Sequence, residues 1–231
     1  MRIEIPDKAY YKGRIMPFNV SEKGRAEISE VIRLLRDEGV RGRVLDVGCG
    51  PGLNVAALRN AGEEWLAFGV DYSPQGIEIA AREIGGSFLN LDAHHLSFRN
   101  AAFSAVVITH AIGHVADPRE VLAEIRRVLA PGGAMVMTTP NRRYVDVYRV
   151  FNERGLIPYH RDTTVLRYYD QEELKATLSA AGFIVKFIRP FGSLPSLDAR
   201  LLEMDLLASD VRLDDDSRRE RLMALVTKED S

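Results

Sequence analysis

Residues 44–52, with the sequence VLDVGCGPG, join a short apolar strand pattern to a glycine-rich turn. The residues that follow, 53–60, have the composition of a helix. A buried strand whose carboxyl end leads through glycines into a helix is typical of the ligand-binding edge of an open α/β sheet. This segment therefore predicts a parallel sheet with a small-molecule site at the end of its first strand.

Asp46 and the glycine spacing restrict the ligand that fits this turn. The glycines at 48, 50 and 52 follow G-x-G-x-G, whereas the dinucleotide fingerprint is G-x-G-x-x-G. A carboxylate just before the first glycine would repel a pyrophosphate. Glycine at 48 and 50 would let the backbone approach the ligand, since a Cβ there would obstruct it. We therefore expect a ligand that brings a cation, not phosphates, to the turn.

Composition excludes several classes of function. The chain has 231 residues, a formal net charge of -2 and one cysteine, Cys49. We expect a single domain over 1–231, with no electrostatic reason to bind nucleic acid or an anionic membrane. One cysteine excludes an internal disulfide and a cysteine-based zinc cluster, and no metal site is predicted. The N-terminal residues lack the apolar core of a secretory signal, which favours a cytoplasmic protein.

Apolar periodicity predicts alternating strands and helices along most of the chain. Strands are predicted at 43–47, 65–71, 87–92, 105–109, 134–139 and 183–188, and helices at 21–38, 53–61, 74–84, 118–129 and 171–181. Two stretches break the alternation, one rich in arginine and aromatic residues after the fifth strand and one after the sixth. We expect residues 141–168 and 192–216 to form helical lid insertions that cover a substrate, together with an N-terminal arm at 1–20 that precedes the helix ending near residue 40.

Six segments together resemble the class I S-adenosylmethionine-dependent methyltransferases, in the small-molecule branch that is similar to methyltransferase type 11. They are VLDVGCGPG, GVDYS at 69–73, LNLDAHHLSF at 89–98, AVVITHAIGHVADP at 105–118, VLAPGG at 128–133 and YYDQEELKATLSAAGF at 168–183. The resemblance runs in order over roughly residues 25–190.

The resemblance implies both a fold and a cofactor. The fold is α/β, with a Rossmann-like, seven-stranded, mostly parallel sheet, an antiparallel last strand and helices on both faces. It places the last strand at 222–228 and makes 197–211 an insertion before that strand. The implied cofactor is S-adenosyl-L-methionine.

The resemblance also implies roles for matched positions. Asp46 and the turn would hold the amino-acid end of the cofactor, Asp71 the ribose hydroxyls and Asp92 the adenine, with Thr109 beside the sulfonium. The full set of implied cofactor contacts is Asp46, Gly48, Cys49, Gly50, Gly52, Leu53, Asp71, Tyr72, Asp92, Ala93 and Thr109.

Structural roles remain open for several of these residues. Asp46 could cap the helix that follows it, and Asp71 could be a turn acid in the capping sequence VDYSP. His94 or His95 could recognise the adenine in place of Asp92. Cys49 is interpreted as a small filler of the turn, not as a nucleophile.

The candidates for a general base are His110, His114 and, in the first insertion, His160, because imidazole titrates near neutral pH. His160 is too far from any motif to be assigned a role, which leaves His110 and His114. His114 lies in GHVADP, which resembles the EHVxDP of ubiquinone-type O-methyltransferases. That branch carries glutamates before the histidine, where this chain has His110 and Gly113, so a metal-assisted mechanism is not expected. His114 could instead pack between the fourth strand and its loop.

These observations predict a cytoplasmic enzyme that transfers a methyl group to a small-molecule acceptor by alignment for in-line attack. Oxygen is favoured as the acceptor atom, nitrogen is second and carbon third. Residues 108–112 read ITHAI and lack the N/D-P-P-Y/F pattern of base and amide methylation. The alternatives are a noncatalytic binding module for the same cofactor and a nicotinamide oxidoreductase. No pattern identifies the acceptor or the oligomeric state.

Overall fold

The computed structural model describes residues 22–62, 64–155, 162–192 and 219–229. The predicted arm at 1–20, the insertion at 197–211 and nearly all of the predicted lid at 192–216 lie outside the described residues. The fold below therefore concerns the sheet, the helices against it and the first of the two insertions.

Helices and strands alternate as the apolar periodicity predicts. In chain order they are α1 (Glu22–Asp37), β1 (Gly42–Val47), α2 (Leu53–Asn60), β2 (Trp65–Asp71), α3 (Pro74–Glu83), β3 (Phe88–Asn90), β4 (Phe103–Thr109), α4 (Pro118–Val128), β5 (Leu129–Pro140), α5 (Arg142–Glu153), α6 (Gln171–Ala180), β6 (Phe183–Phe191) and β7 (Arg221–Lys228). A short 3₁₀ helix, Ile112–His114, follows β4.

The strands form one seven-stranded sheet in the order β3-β2-β1-β4-β5-β7-β6. All neighbouring pairs are parallel except those that involve β7, which runs antiparallel to β5 and β6. The predicted fold class and its antiparallel last strand are therefore confirmed. In this order the carboxyl ends of β2, β1, β4 and β5 lie side by side at one edge, where α/β sheets bind ligands.

The hydrophobic core has two parts, one on each face of the sheet. In β4, Val106 and Ile108 pack with α4 and α6, while Ala105 and Val107 pack with α1, α2 and α3. All four side chains are 0% exposed, as expected for a central parallel strand covered on both faces.

Helix α1 packs on the sheet through Val31, Leu34 and Leu35, which share one face and are at most 3% exposed. The left-handed conformation of Gly39, with φ +66°, follows the end of the helix. Glu27 lies one turn before Val31 on this same buried face. No helix in the described part of the chain is long and apolar enough to cross a membrane.

The predicted boundaries of four strands were wrong by two or more residues. The sixth strand continues to Phe191, beyond the predicted end at residue 188. The third strand is shorter than predicted, since only Phe88–Asn90 pairs with β2. The fourth and fifth strands begin earlier, because Phe103 pairs with Leu129 before a register shift that restores pairing at Ala105 and Ala134. The glycines at 132–133 are therefore part of an irregularity within β5. In the first insertion, α5 supplies the helical element predicted there, and Asn141 caps it.

Candidate functional site

Asp46 lies near the end of β1 and is completely buried. The side-chain amide of Asn54 donates to its Oδ1 at 3.3 Å, and Oδ2 has no hydrogen-bond partner within the described ranges. Burial raises the pKa of Asp46 to about 7; the hydrogen bond from Asn54 opposes this, and the charge of Asp71 adds to it. The helix cap proposed as an alternative is not formed, because Gly52 is the N-cap of α2 and no side chain caps it.

Asp71 ends β2 and fastens the glycine turn to that strand. Its two carboxylate oxygens accept from the backbone N–H of Gly50 and of Ser73, each at 2.7 Å. Burial raises the pKa of Asp71, and the two N–H groups act against that rise. Ser73, not Asp71, is the side-chain cap of α3. Asp71 therefore has the structural role of accepting hydrogen bonds within the turn after β2. Through Gly50 it also orients the glycine-rich turn after β1.

The described part of the chain places no basic side chain in an ion pair with Asp46 or Asp71. Two carboxylates with little water around them favour a positive group between the ends of β1 and β2. The ammonium and sulfonium of S-adenosylmethionine meet that requirement, whereas a pyrophosphate does not. The residues present therefore fit this cofactor.

The glycines of the turn serve different purposes. A Cβ at Gly48, where φ is +75°, would lie 2.5 Å from the Cβ of Ala111, so packing within the protein already requires glycine at this position. At Gly50, where φ is +51°, no described atom lies within 4 Å of an added Cβ. Gly48 is thus required for packing against the loop after β4, and Gly50 borders open space.

The other turn residues differ in exposure. Cys49 is 7% exposed, and burial, together with the charges of Asp46 and Asp71, raises the pKa of its thiol. That environment keeps the thiol protonated and agrees with its interpretation as a filler. Leu53 is half-buried at the start of α2, and Tyr72 is 42% exposed after β2. Their predicted role as apolar neighbours of the adenosine stays a prediction.

Asp92 and His94 form one unit instead of being alternatives. Asp92 Oδ1 accepts from the backbone N–H of His94 at 2.9 Å and lies 2.6 Å from His94 Nδ1. His94 Nε2 accepts from the N–H of Asp117 at 3.3 Å, which assigns the proton to Nδ1. Burial would raise the pKa of Asp92, but the contacts with His94 outweigh it and lower the pKa. Ala93, between them, is half-buried.

Thr109 and His110 lie where β4 ends. Asn54 Nδ2 donates to Thr109 Oγ1 at 2.9 Å, so one amide joins Thr109 to Asp46. The next residue, His110, has φ +56° and a side chain that is 39% exposed. Its Nε2 lies 3.0 Å from the carboxylate of Glu27. The end of β4 is therefore connected both to the glycine turn and to α1.

His114, the second predicted base, belongs to a separate contact. Its Nδ1 lies 3.1 Å from the backbone oxygen of Thr164, near the end of the first insertion. Nearby, the carbonyl of Gly113 accepts from the N–H groups of Leu166 and Arg167. These contacts support the structural alternative for His114, in which it packs the loop after β4.

Four residues of the site carry no motif in the sequence: Glu27, Asn54, Thr138 and Arg221. For Glu27 a signal exists, because a carboxylate on the apolar face of a helix requires a buried partner. Asn54, Thr138 and Arg221 are ordinary residues for their elements, and only the folded arrangement shows their contacts.

Comparison with known proteins agrees with this geometry. The family model described as "Methyltransferase domain" matches residues 21–186. A demethylmenaquinone methyltransferase of Clavibacter sepedonicus is 32% identical over 161 residues, which cover 61% of this chain and 65% of that relative, just under two thirds. A ubiquinone biosynthesis O-methyltransferase of Cereibacter sphaeroides is 35% identical over 105 residues, or 43% of this chain and 42% of the relative.

A solved SAM-dependent methyltransferase from Thermotoga maritima has the same fold. The TM-score is 0.63 at 21% identity, and the match covers 89% of this chain and 90% of the other. The family match decides against a nicotinamide oxidoreductase, as do Asp46 and the glycine spacing. It spans well over half of the sequence. The chain therefore belongs to the methyltransferase-domain family and is a class I S-adenosylmethionine-dependent methyltransferase.

Proposed function

We propose that this methyltransferase methylates a hydroxyl oxygen of a small molecule, with His110 as the general base. Nitrogen and then carbon are the other acceptor atoms considered, and His114 is the second candidate base. The observation that carries the proposal is the placement of His110 at the end of β4. Its side chain is 39% exposed there, directly after a residue tied to Asp46 through Asn54.

The proposed cofactor contacts are built around the carboxylates of Asp46 and Asp71. Asp46 compensates the ammonium, with the turn residues Gly48, Cys49, Gly50 and Gly52 around the amino-acid end, and Asp71 accepts from the ribose hydroxyls. Asp92, oriented by His94, accepts from the adenine amine beside Ala93, while Leu53 and Tyr72 supply apolar contact. Thr109 borders the sulfonium, which supplies an electrophilic methyl group.

The relatives support a small-molecule acceptor, and of the two only the O-methyltransferase supports oxygen as the acceptor atom. One is a demethylmenaquinone methyltransferase and the other a ubiquinone biosynthesis O-methyltransferase. We extend from them only the class of a small hydroxylated aromatic molecule. Such an acceptor would lie under the insertions at 141–168 and 192–216 and the arm at 1–20, within a single domain of 1–231.

Turnover of a panel of acceptors tests the proposal. Purified protein is incubated with S-adenosylmethionine and with phenols, hydroquinones, amines or carbon acids, and both S-adenosylhomocysteine and the methylated product are measured by mass spectrometry. A reaction without acceptor and one with the Asp71→Ala variant are the controls. Methylation confined to hydroxyl acceptors supports the proposal, and methylation only at nitrogen or carbon contradicts it. Tight binding of S-adenosylhomocysteine without any transfer would support the noncatalytic alternative.

A further inference from the structure

Glu27 is a residue of α1 whose buried carboxylate contacts residues at the ends of three strands, on the edge of the sheet that carries the candidate site. It is 5% exposed and contacts His110 after β4, Thr138 of β5 and Arg221 of β7. Burying a carboxylate costs free energy unless hydrogen-bond donors surround it. The burial of Glu27 therefore calls for a structural or a functional explanation.

The hydrogen bonds to Glu27 determine which ring nitrogen of His110 carries the proton. Thr138 Oγ1 donates to Glu27 Oε1 at 2.5 Å, and Arg221 Nη1 donates to Oε2 at 2.6 Å. Burial would raise the pKa of Glu27, but the hydrogen bond and charge of His110, the charge of Arg221 and the hydrogen bond from Thr138 outweigh it and lower the pKa. An ionised carboxylate only accepts, so His110 Nε2 must carry the hydrogen that lies between them.

The backbone of His110 contributes to the same orientation. Its φ of +56° is in the left-handed region, which is unfavourable for a residue other than glycine. The N–H of His110 donates to the backbone oxygen of Thr138 at 3.0 Å, and this bond holds the turn. Within the described ranges, no hydrogen bond is made by His110 Nδ1. One ring nitrogen is therefore fixed, while the other remains available as an acceptor.

We propose that Glu27 is a positioning residue, which holds His110 in the Nε2–H tautomer so that Nδ1 accepts the proton of the acceptor hydroxyl. This inference rests on the proposed function. The O–H bond breaks and its proton moves to Nδ1, while the oxygen forms the bond to the methyl carbon. The carbon–sulfur bond breaks and its electron pair stays on sulfur, which becomes neutral. The imidazolium that results is stabilised by the ionised Glu27.

A control variant at Glu30, on the same helix, distinguishes the positioning role of Glu27 from a purely structural one. Glu30 lies one turn further along α1 and binds Arg33 and, on β6, Arg189. Glu30→Gln therefore removes a tie between α1 and the sheet without touching His110. Glu27→Gln removes the carboxylate from His110 and keeps nearly the same shape.

The first measurement is ¹⁵N NMR of the His110 ring in the complex with S-adenosylhomocysteine, which needs no turnover. In the parent protein and in Glu30→Gln we expect the Nε2–H tautomer with a slowly exchanging Nε2 proton. In Glu27→Gln we expect faster exchange of this proton and a mixture of tautomers. Identical ring spectra in the parent protein and Glu27→Gln would overturn the inference. Glu27→Asp, which keeps the buried charge but shortens the side chain and so draws the carboxylate away from His110, gives a second variant should Glu27→Gln not fold, with a change in the same direction.

The second measurement is turnover with a hydroxyl acceptor found in the panel. We expect Glu27→Gln to lower kcat by about 10- to 100-fold with little change in KM, and His110→Asn to lower it at least as much. The double variant should lose no more than His110→Asn alone, since both act through one ring. A kcat for Glu27→Gln equal to that of Glu30→Gln would contradict a positioning role. Full activity of His110→Asn, or a panel without substrates, would instead count against the proposed function, while the ring spectra decide the role of Glu27.

Discussion

The carboxylate of Asp71 lies close enough to Asp46 for its negative charge to add to the rise in the pKa of Asp46, which burial causes and which reaches about 7. The two acids end neighbouring parallel strands, where Asp46 pairs in register with Gly69, two residues before Asp71. In the free protein this pair is a concentration of unfavourable negative charge. A ligand that brings positive charge to the edge of the sheet removes that cost, and two measurable pH effects follow from it.

The affinity for S-adenosylhomocysteine should rise with pH. We propose that the ligand's ammonium is compensated by ionised Asp46, so below a pKa of about 7 binding must first displace a proton. The dissociation constant should then be about tenfold larger at about pH 6 than at about pH 8. Isothermal titration calorimetry at both pH values measures it. Asp46→Asn should bind more weakly and lose most of this pH dependence, and an equally steep dependence in that variant would refute the assignment to Asp46.

Asp46→Asn should also stabilise the ligand-free protein at alkaline pH. The folded pKa of about 7 exceeds the ordinary aspartate value of 3.8, so the free energy of unfolding falls as pH rises between the two values. At about pH 8 the variant should be more stable by up to about 4 kcal/mol, since one pKa unit corresponds to about 1.4 kcal/mol. The gain should shrink towards about pH 5. Urea unfolding without ligand measures this, with Asp37→Asn on the surface of α1 as the control that should gain nothing comparable.

The sequence was sufficient to predict the sheet because each central strand is a short apolar run delimited by turns. β1 carries Asp46 one residue before its end and leads into the glycines, and β4 is apolar on both faces; neither pattern fits a surface helix. The edges were harder, since β3 has only three paired residues and β5 continues through its glycines. Pairing with a neighbouring strand, not local composition, decides those boundaries.

Recognition of the site from sequence was limited to side chains that belong to a local motif. Asp46, Asp71 and Asp92 each lie at or near the carboxyl end of a predicted strand. Glu27 and Arg221, by contrast, are 194 residues apart and meet only because β7 inserts between β5 and β6. The bond between Asn54 and Thr109 likewise depends on the adjacency of β1 and β4. Contacts that depend on which strands are neighbours in the sheet cannot be recognised from a local pattern in a single sequence.

Asp71→Ala should weaken the binding of S-adenosylhomocysteine by about 1–3 kcal/mol, the scale for polar groups left without partners. The variant loses a proposed ribose acceptor and also leaves the N–H groups of Gly50 and Ser73 without their carboxylate. Asp71→Asn keeps one side-chain oxygen and should lose less affinity. Calorimetric titration of both variants measures the difference. Affinity unchanged in Asp71→Ala would remove Asp71 from the site.

Gly50→Ala and Gly85→Ala form a matched pair that separates strain from ligand contact. Both glycines have positive φ, +51° and +70°, and an added Cβ at either has no described atom within 4 Å. Alanine should therefore destabilise each site by a similar amount, about 1 kcal/mol, because the left-handed conformation disfavours a Cβ. Gly85, however, follows α3 and contributes nothing to the turn between β1 and α2. Thermal unfolding without ligand should give similar losses of stability for the two variants. Calorimetry should show weaker binding of S-adenosylhomocysteine only for Gly50→Ala, because its Cβ would occupy space proposed for the ligand. Equal affinities in the two variants would show that the open space beside Gly50 is not where the cofactor lies.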